Sequence, residues 1–143
     1  GIVLKDEKKA AKRYQELLGI GPWIVAPVAP KTNAFLGEKP VSEAGMDGLH
    51  NDAAFAYLGD IQFELLKPAG GPSCHRKFLD RRGNGIQHVS FGRQADYDQV
   101  IAASKKAGIH SEYSATLGGT TVVNYLAMRE QLGGFQLEIT KLK

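Results

Sequence analysis

Ile61-Gln62-Phe63-Glu64-Leu65-Leu66-Lys67 and Phe135-Gln136-Leu137-Glu138-Ile139-Thr140-Lys141 are two copies of one pattern. Side chains on a strand alternate between its two faces. In each copy the Gln and the Glu therefore share one face, and their apolar neighbours take the other. The copies place Glu64 and Glu138 at matching positions. A third stretch, Ile86-Gln87-His88-Val89-Ser90-Phe91, aims His88 by the same alternation. Two carboxylates and an imidazole projecting from strands form a donor set suited to a divalent metal ion in a sheet-lined cavity.

The flanking sequence gives these strands a context. Gly1 to Leu4 is a short apolar run that reads as a strand already under way. Asp6 is placed to cap a helix, Ala10, Ala11, Tyr14, Leu17 and Leu18 recur at helical spacing, and Gly19 is the stop. Trp23 to Val28 is strand-like. Residues 29–52, with their Pro, Gly, Asn and Asp, read as a long loop with an irregular edge segment. Ala53 to Leu58 returns through a Gly59-Asp60 hairpin into Ile61 to Lys67. Ser73 is placed to cap a short helix ending at Gly83. A strand over 86–91 follows. Next comes a helix behind Asp96 that presents Tyr97, Val100, Ile101 and Ser104 on one face, and then strands over 109–113, 121–127 and 135–142.

Each half thus reads strand, helix, strand, strand, strand, an α+β arrangement of two βαβββ modules. Module one is 1–68, a linker covers 69–85, and module two is 86–143, within a single domain spanning 1–143. The halves align through Leu18-Gly19-Ile20 and Ala107-Gly108-Ile109, and through Glu64 and Glu138. On that alignment the counterpart of His88 falls just upstream of Gly1, where the duplication places a fourth ligand.

The bulk properties exclude several classes. A chain of 143 residues suffices for one domain that buries roughly two-thirds of its unfolded surface. The net charge is +3, and Lys8, Arg13, Lys77, Arg82 and Lys105 are scattered rather than clustered as a nucleic-acid surface requires. A mildly positive surface suits an anionic small-molecule substrate. No apolar run approaches the ~20 residues of a membrane span. The one cysteine, Cys74, excludes an intrachain disulfide and fits a reducing compartment, the cytoplasm. Cys74-His75 has no partner pair at zinc-site spacing. His50 and His110 read as surface residues, and Gln62, Gln87 and Gln136 as ordinary strand positions. Asn124 and Tyr125 are neighbours on one strand, so alternation admits only one to a cavity, and Tyr125 is the choice.

The stretches Gly59-Asp60-Ile61-Gln62-Phe63-Glu64-Leu65-Leu66-Lys67-Pro68, Phe78-Leu79-Asp80-Arg81-Arg82-Gly83-Asn84-Gly85-Ile86-Gln87-His88-Val89 and Leu132-Gly133-Gly134-Phe135-Gln136-Leu137-Glu138, in that order, resemble the vicinal oxygen chelate superfamily, which holds glyoxalases, bleomycin-resistance proteins and dioxygenases. The resemblance covers essentially the whole chain. Its middle stretch is most similar to methylmalonyl-CoA epimerases, while glyoxalase I-like proteins share the ligand positions. It implies an open, incomplete β-barrel around a divalent metal ion (Ni, Co, Mn or Zn) held by Glu64, His88, Glu138 and a residue upstream of Gly1. It also implies a homodimer.

The activity so implied is an isomerase or lyase that abstracts a proton next to a carbonyl of a small acyl or thioester substrate. Glu138 is the expected base. An epimerase places a second base on the strand before Gly59, but Ala53-Ala54-Phe55-Ala56-Tyr57-Leu58 carries no carboxylate, so Glu64 takes that role as in glyoxalase-like chemistry. Tyr125 and Arg82 are the expected substrate contacts. The alternatives are a non-catalytic binding protein of the resistance type and an extradiol dioxygenase. A Glu at position 64 disfavours both, because dioxygenases bind Fe(II) with two His and one Glu and the binding proteins carry apolar or neutral residues there.

Overall fold

The computed structural model describes residues 1–93 and 95–142. In chain order its elements are β1 (Ile2–Val3), α1 (Glu7–Leu18), β2 (Ile24–Val28), β3 (Pro30–Leu36), β4 (Lys39–Pro40), α2 (Glu43–Met46), β5 (Asn51–Leu58), β6 (Ile61–Pro68), α3 (Cys74–Arg82), β7 (Gly85–Ile86), β8 (His88–Arg93), α4 (Tyr97–Lys106), β9 (Ser111–Leu117), β10 (Thr121–Leu126) and β11 (Gln136–Leu142). Local chemistry accounts for the helix ends. The Asp6 carboxylate accepts the Lys9 N–H at 2.9 Å, and Gly19 closes α1 in the left-handed conformation at φ 68°. Ser73 opens α3 by accepting the Arg76 N–H at 3.1 Å. Asp96 precedes α4 but makes no capping side-chain bond.

The strands form two sheets, neither closed into a barrel. Their orders are β2-β5-β6-β1-β7 and β4-β3-β9-β10-β11-β8. The duplication is visible in the pairing. β1 runs parallel to β6 with Ile2 opposite Leu65, and β8 runs parallel to β11 with Ser90 opposite Glu138. Aligned on the glutamates, Gly1 corresponds to Ser90, and the counterpart of His88 again falls ahead of Gly1. The alternation holds as read. Leu65 packs against α1 with Leu4, Ala11 and Ala54, and Ile139 packs in the α4 cluster with Tyr97 and Leu126. Glu64 and Glu138 take the opposite faces, toward the space between the sheets.

Two segments differ from the sequence reading. Residues 29–52 are not a plain loop. They hold β3, β4 and α2, and β3 crosses to the second sheet, antiparallel to β9 with Leu36 opposite Tyr113. Asn33 sits at φ 52°, and the register shifts on both sides of Thr32, so the strand lacks the period that would reveal it. The expected strand over 86–91 is split at Gln87, whose N–H donates to Gly1 O at 2.9 Å. β7 joins the first sheet and β8 the second, so Gln87 is the seam between them.

Leu65 is fully buried beneath α1. Leu65→Ala is expected to lower unfolding stability by about 2–5 kcal/mol in urea denaturation. A loss below about 1 kcal/mol would show that α1 is not held through this face.

Candidate metal centre

β6, β8 and β11 deliver three side chains to one point. His88 Nε2 lies 3.1 Å from Glu64 Oε2 and 3.0 Å from Glu138 Oε2. One donor atom from each of the three lies within 4.8 Å of the others. His88 is 2% exposed and Glu138 8%, whereas Glu64 is half-buried. Carboxylates held this close, away from water, require a proton or a cation among them. The donor set, two carboxylate oxygens and one imidazole nitrogen, suits a divalent ion such as Zn or Mn. The adjoining void of about 40 Å³ is bordered by Glu64, Glu138, His75, Tyr113 and Tyr125. It exceeds the ~10–15 Å³ that one water needs, which is room for an ion-sized occupant.

The ring of His88 is oriented by a chain of hydrogen bonds running away from the cavity. His88 Nδ1 is 2.6 Å from Gln87 Oε1, Gln87 Nε2 donates to Gln136 Oε1, and Gln136 Nε2 donates to Glu112 Oε2 at 2.6 Å. Arg129 closes the chain with a two-pronged pair to Glu112 at 2.6 and 3.1 Å. The direction of the chain follows from its far end. An ionised carboxylate only accepts, so Gln136 must donate through its amide nitrogen and accept through its oxygen. Gln87 must do the same, which leaves Nδ1–H of His88 as the donor. Nε2 is then the nitrogen turned to the carboxylates and available as a ligand. Such outer partners orient a metal-binding imidazole and raise its basicity. Gln87 and Gln136 are both 0% exposed. Their reading as ordinary strand positions is corrected, while Gln62 is exposed and bonds the Tyr57 hydroxyl.

Electrostatics follow the same geometry. Burial opposes a charge on His88, but hydrogen bonds to Glu138 and Glu64 outweigh it and hold the pKa above its ordinary value. Burial likewise opposes ionisation of Glu138, yet the hydrogen bond and charge of His88, with a hydrogen bond from Tyr125, keep it below the carboxylate range. Burial, reinforced by the two glutamates, pushes the Tyr125 phenol well up, so it stays a neutral donor.

The structure brings Tyr125 into the group, edge-on to His88 with ring centroids 5.0 Å apart. Asn124 is buried as well, but it is bonded to Tyr97 on the α4 side, so alternation separates the two as read. Arg82 is not brought to the triad. It borders a separate cleft of about 460 Å³ with Lys77, Arg81 and Arg129. Cys74 is buried, and burial pushes its thiol up to about 12, so it is inert. His75 borders the triad's void, and burial drops its pKa to about 3. Sequence spacing carried no signal for His75, because α3 brings it to the cavity without a second ligand nearby in the chain.

A profile of the glyoxalase/bleomycin resistance protein/dioxygenase superfamily matches residues 1–123. The uncharacterized protein YqjC of Bacillus subtilis (strain 168) is 27% identical over 104 residues, 73% of this chain and 61% of that protein. The chain thus spans about three-fifths of the length of this relative. Methylmalonyl-CoA epimerase from Mycobacterium tuberculosis is similar in structure with a TM-score of 0.64 at 21% identity, over 99% of this chain and 83% of that one. A variant of the Streptomyces coelicolor methylmalonyl-CoA epimerase in complex with 2-nitronate-propionyl-CoA gives 0.69 at 20% identity, over 99% and 90%. At these identities the structural likeness speaks for the fold. Among the described residues no helix is long and apolar enough to cross a membrane.

Two outcomes test the site. Glu112→Gln frees the far end of the chain to flip, and Mn(II) affinity by calorimetry is expected to fall about 10–100-fold with the circular dichroism unchanged. Equal affinity would show that the chain does not orient His88. In the metal-free protein, the raised pKa of His88 means that its contribution is complete below pH 6.5 and is lost as pH rises through the raised value. The lowered pKa of Glu138 means that its share is present above pH 4.5 and is lost as pH falls through the lowered value. Tm is therefore expected to fall on the alkaline side, and His88→Gln should flatten that limb. A limb that persists unchanged would contradict the assignment.

Proposed function

The chain belongs to the glyoxalase/bleomycin resistance protein/dioxygenase superfamily, and within it we propose a divalent-metal-dependent isomerase or lyase that removes a proton next to a carbonyl of a small acyl or thioester substrate. The observation that carries this reading is the contact of both Glu64 and Glu138 with one imidazole nitrogen in one cavity. Glu64, His88 and Glu138 would hold the ion, which when bound supplies Lewis acidity toward a substrate oxygen. The protein's own groups do the proton work. Glu138 is nearly buried, its bonds to His88 and Tyr125 favour the ionised, proton-accepting form, and the Tyr125 hydroxyl fixes its orientation. Glu64 is the more accessible carboxylate and is the candidate to return or receive a proton on the opposite side. On the neighbouring strand β5 Phe55 stands opposite Glu64, and that strand's one carboxylate, Asp52, takes the other face and pairs with Lys67 at 2.9 Å.

Two further observations bear on the reading. Several structural neighbours are methylmalonyl-CoA epimerases, one of them in complex with methylmalonyl-CoA and NH4+. A thioester substrate comes to this chain from them as part of the proposal. The small void favours a second reading, in which the site binds a small chelating molecule without reaction. A homodimer in the cytoplasm completes the first reading, on the habit of the superfamily and the lone, buried cysteine.

Glu138→Gln is expected to reduce exchange of the substrate α-proton with deuterated water by about 100-fold or more, followed by NMR across a panel of acyl thioesters, with the fold intact. Retained exchange would remove Glu138 as the base. No exchange by the unaltered protein on any thioester of the panel would favour the binding reading.

A further inference from the structure

His75 and Asn51 face the same void as Glu64 and Glu138, and neither is explained by the reading above. His75, the second residue of α3, is 3% exposed, and among the described residues neither of its ring nitrogens has a hydrogen-bond partner. Asn51, the first residue of β5, is 4% exposed, and its Oδ1 has no partner among the described residues. Buried polar groups are nearly always paired, because leaving one unpaired forfeits its hydrogen bonds to water. Of the residues with unpartnered buried polar atoms among the described residues, these two line one small cavity, beside the two glutamates.

The His75 ring is also firmly placed. It packs edge-on against Tyr125 with centroids 5.2 Å apart and an interplanar angle of 88°, and further contacts run to His88 at 6.0 Å and Tyr113 at 6.4 Å. With aromatic rings on several sides and no acid bonded to it, the imidazole is neutral, with one N–H to give and one lone pair to receive. Asn51 adds an oxygen that accepts.

We propose that His75 and Asn51 form a hydrogen-bonding subsite in the triad's cavity for an oxygen of a small ligand, a carboxylate or a carbonyl bearing a neighbouring hydroxyl. The His75 N–H donates to the ligand oxygen, and Asn51 receives its hydroxyl when there is one. Without ligand the two groups carry an uncompensated cost, and the ligand relieves it. The subsite deepens the metal-centred reading, and it rests on that reading only for the ligand's second anchor.

The test uses two variants and two measurements. In the metal-free, ligand-free protein His75→Leu removes two unpaired nitrogens from an apolar setting, so Tm should rise by about 4 °C. In protein loaded with Mn(II), oxalate affinity by calorimetry should fall about tenfold in His75→Leu, with Mn(II) affinity itself changed less than about twofold. His75→Gln keeps a donor and should hold oxalate affinity within about threefold of the unaltered protein. A lower or unchanged Tm in His75→Leu would overturn the proposal, as would oxalate affinity that is unchanged by that substitution or absent in the unaltered protein. If the protein takes up no Mn(II), the metal-centred reading fails by itself, and the Tm measurement still decides the role of His75.

Discussion

The contact of two glutamates with one nitrogen of a buried imidazole is the constraint around which the molecule is arranged. Such a group is unfavourable away from water unless a proton or a cation sits within it. The sheets meet at this place. Gly1 N donates to His88 O, and Gln87 N donates back to Gly1 O, each at 2.9 Å. The ring of His88 fills the volume that a side chain on Gly1 would occupy, since an ideal Cβ there would lie 1.9 Å from Cε1. Only glycine leaves the imidazole in its place at this seam.

The two modules repeat a strand but do not repeat its surroundings. Behind Glu138 stand the buried Gln136 and the half-buried Glu112 and Arg129, which reach back to His88 through Gln87. Behind Glu64 stands an exposed Gln62 bonded to Tyr57. Equivalent carboxylates, both in contact with His88, thereby acquire different environments, one nearly buried, the other closer to solvent. Differing surroundings are how paired carboxylates come to divide acid and base work. The second module supplies the hydrogen-bonded, buried half of the triad, and the first supplies its more accessible half.

Much of this was legible because it depends on local rules. Asp6, Gly19 and Ser73 bound helices through hydrogen bonds and backbone conformations that neighbours in sequence determine. Period-two alternation separated Glu64 from Leu65 and Glu138 from Ile139, which located the triad. Where the structure departs, the cause is tertiary. β3 carries Asn33 at positive φ and shifts register twice, so its alternation is broken and its pairing depends on β9, far along the chain. Alternation assigns a face to Gln87 and Gln136 but says nothing of depth, and their mutual bond links residues 49 apart in the chain. His75 reaches the cavity only because α3 docks over it, and no spacing rule encodes that docking.

The most direct measurement is a titration of the metal-free protein with Mn(II), Ni(II), Co(II) and Zn(II), repeated on His88→Ala. The account predicts one ion bound per chain for at least one of these metals, with protons released on binding because His88 Nε2 surrenders its proton to make room. It predicts that His88→Ala abolishes this uptake. Absence of stoichiometric uptake by the unaltered protein, or uptake that survives in His88→Ala, would contradict it.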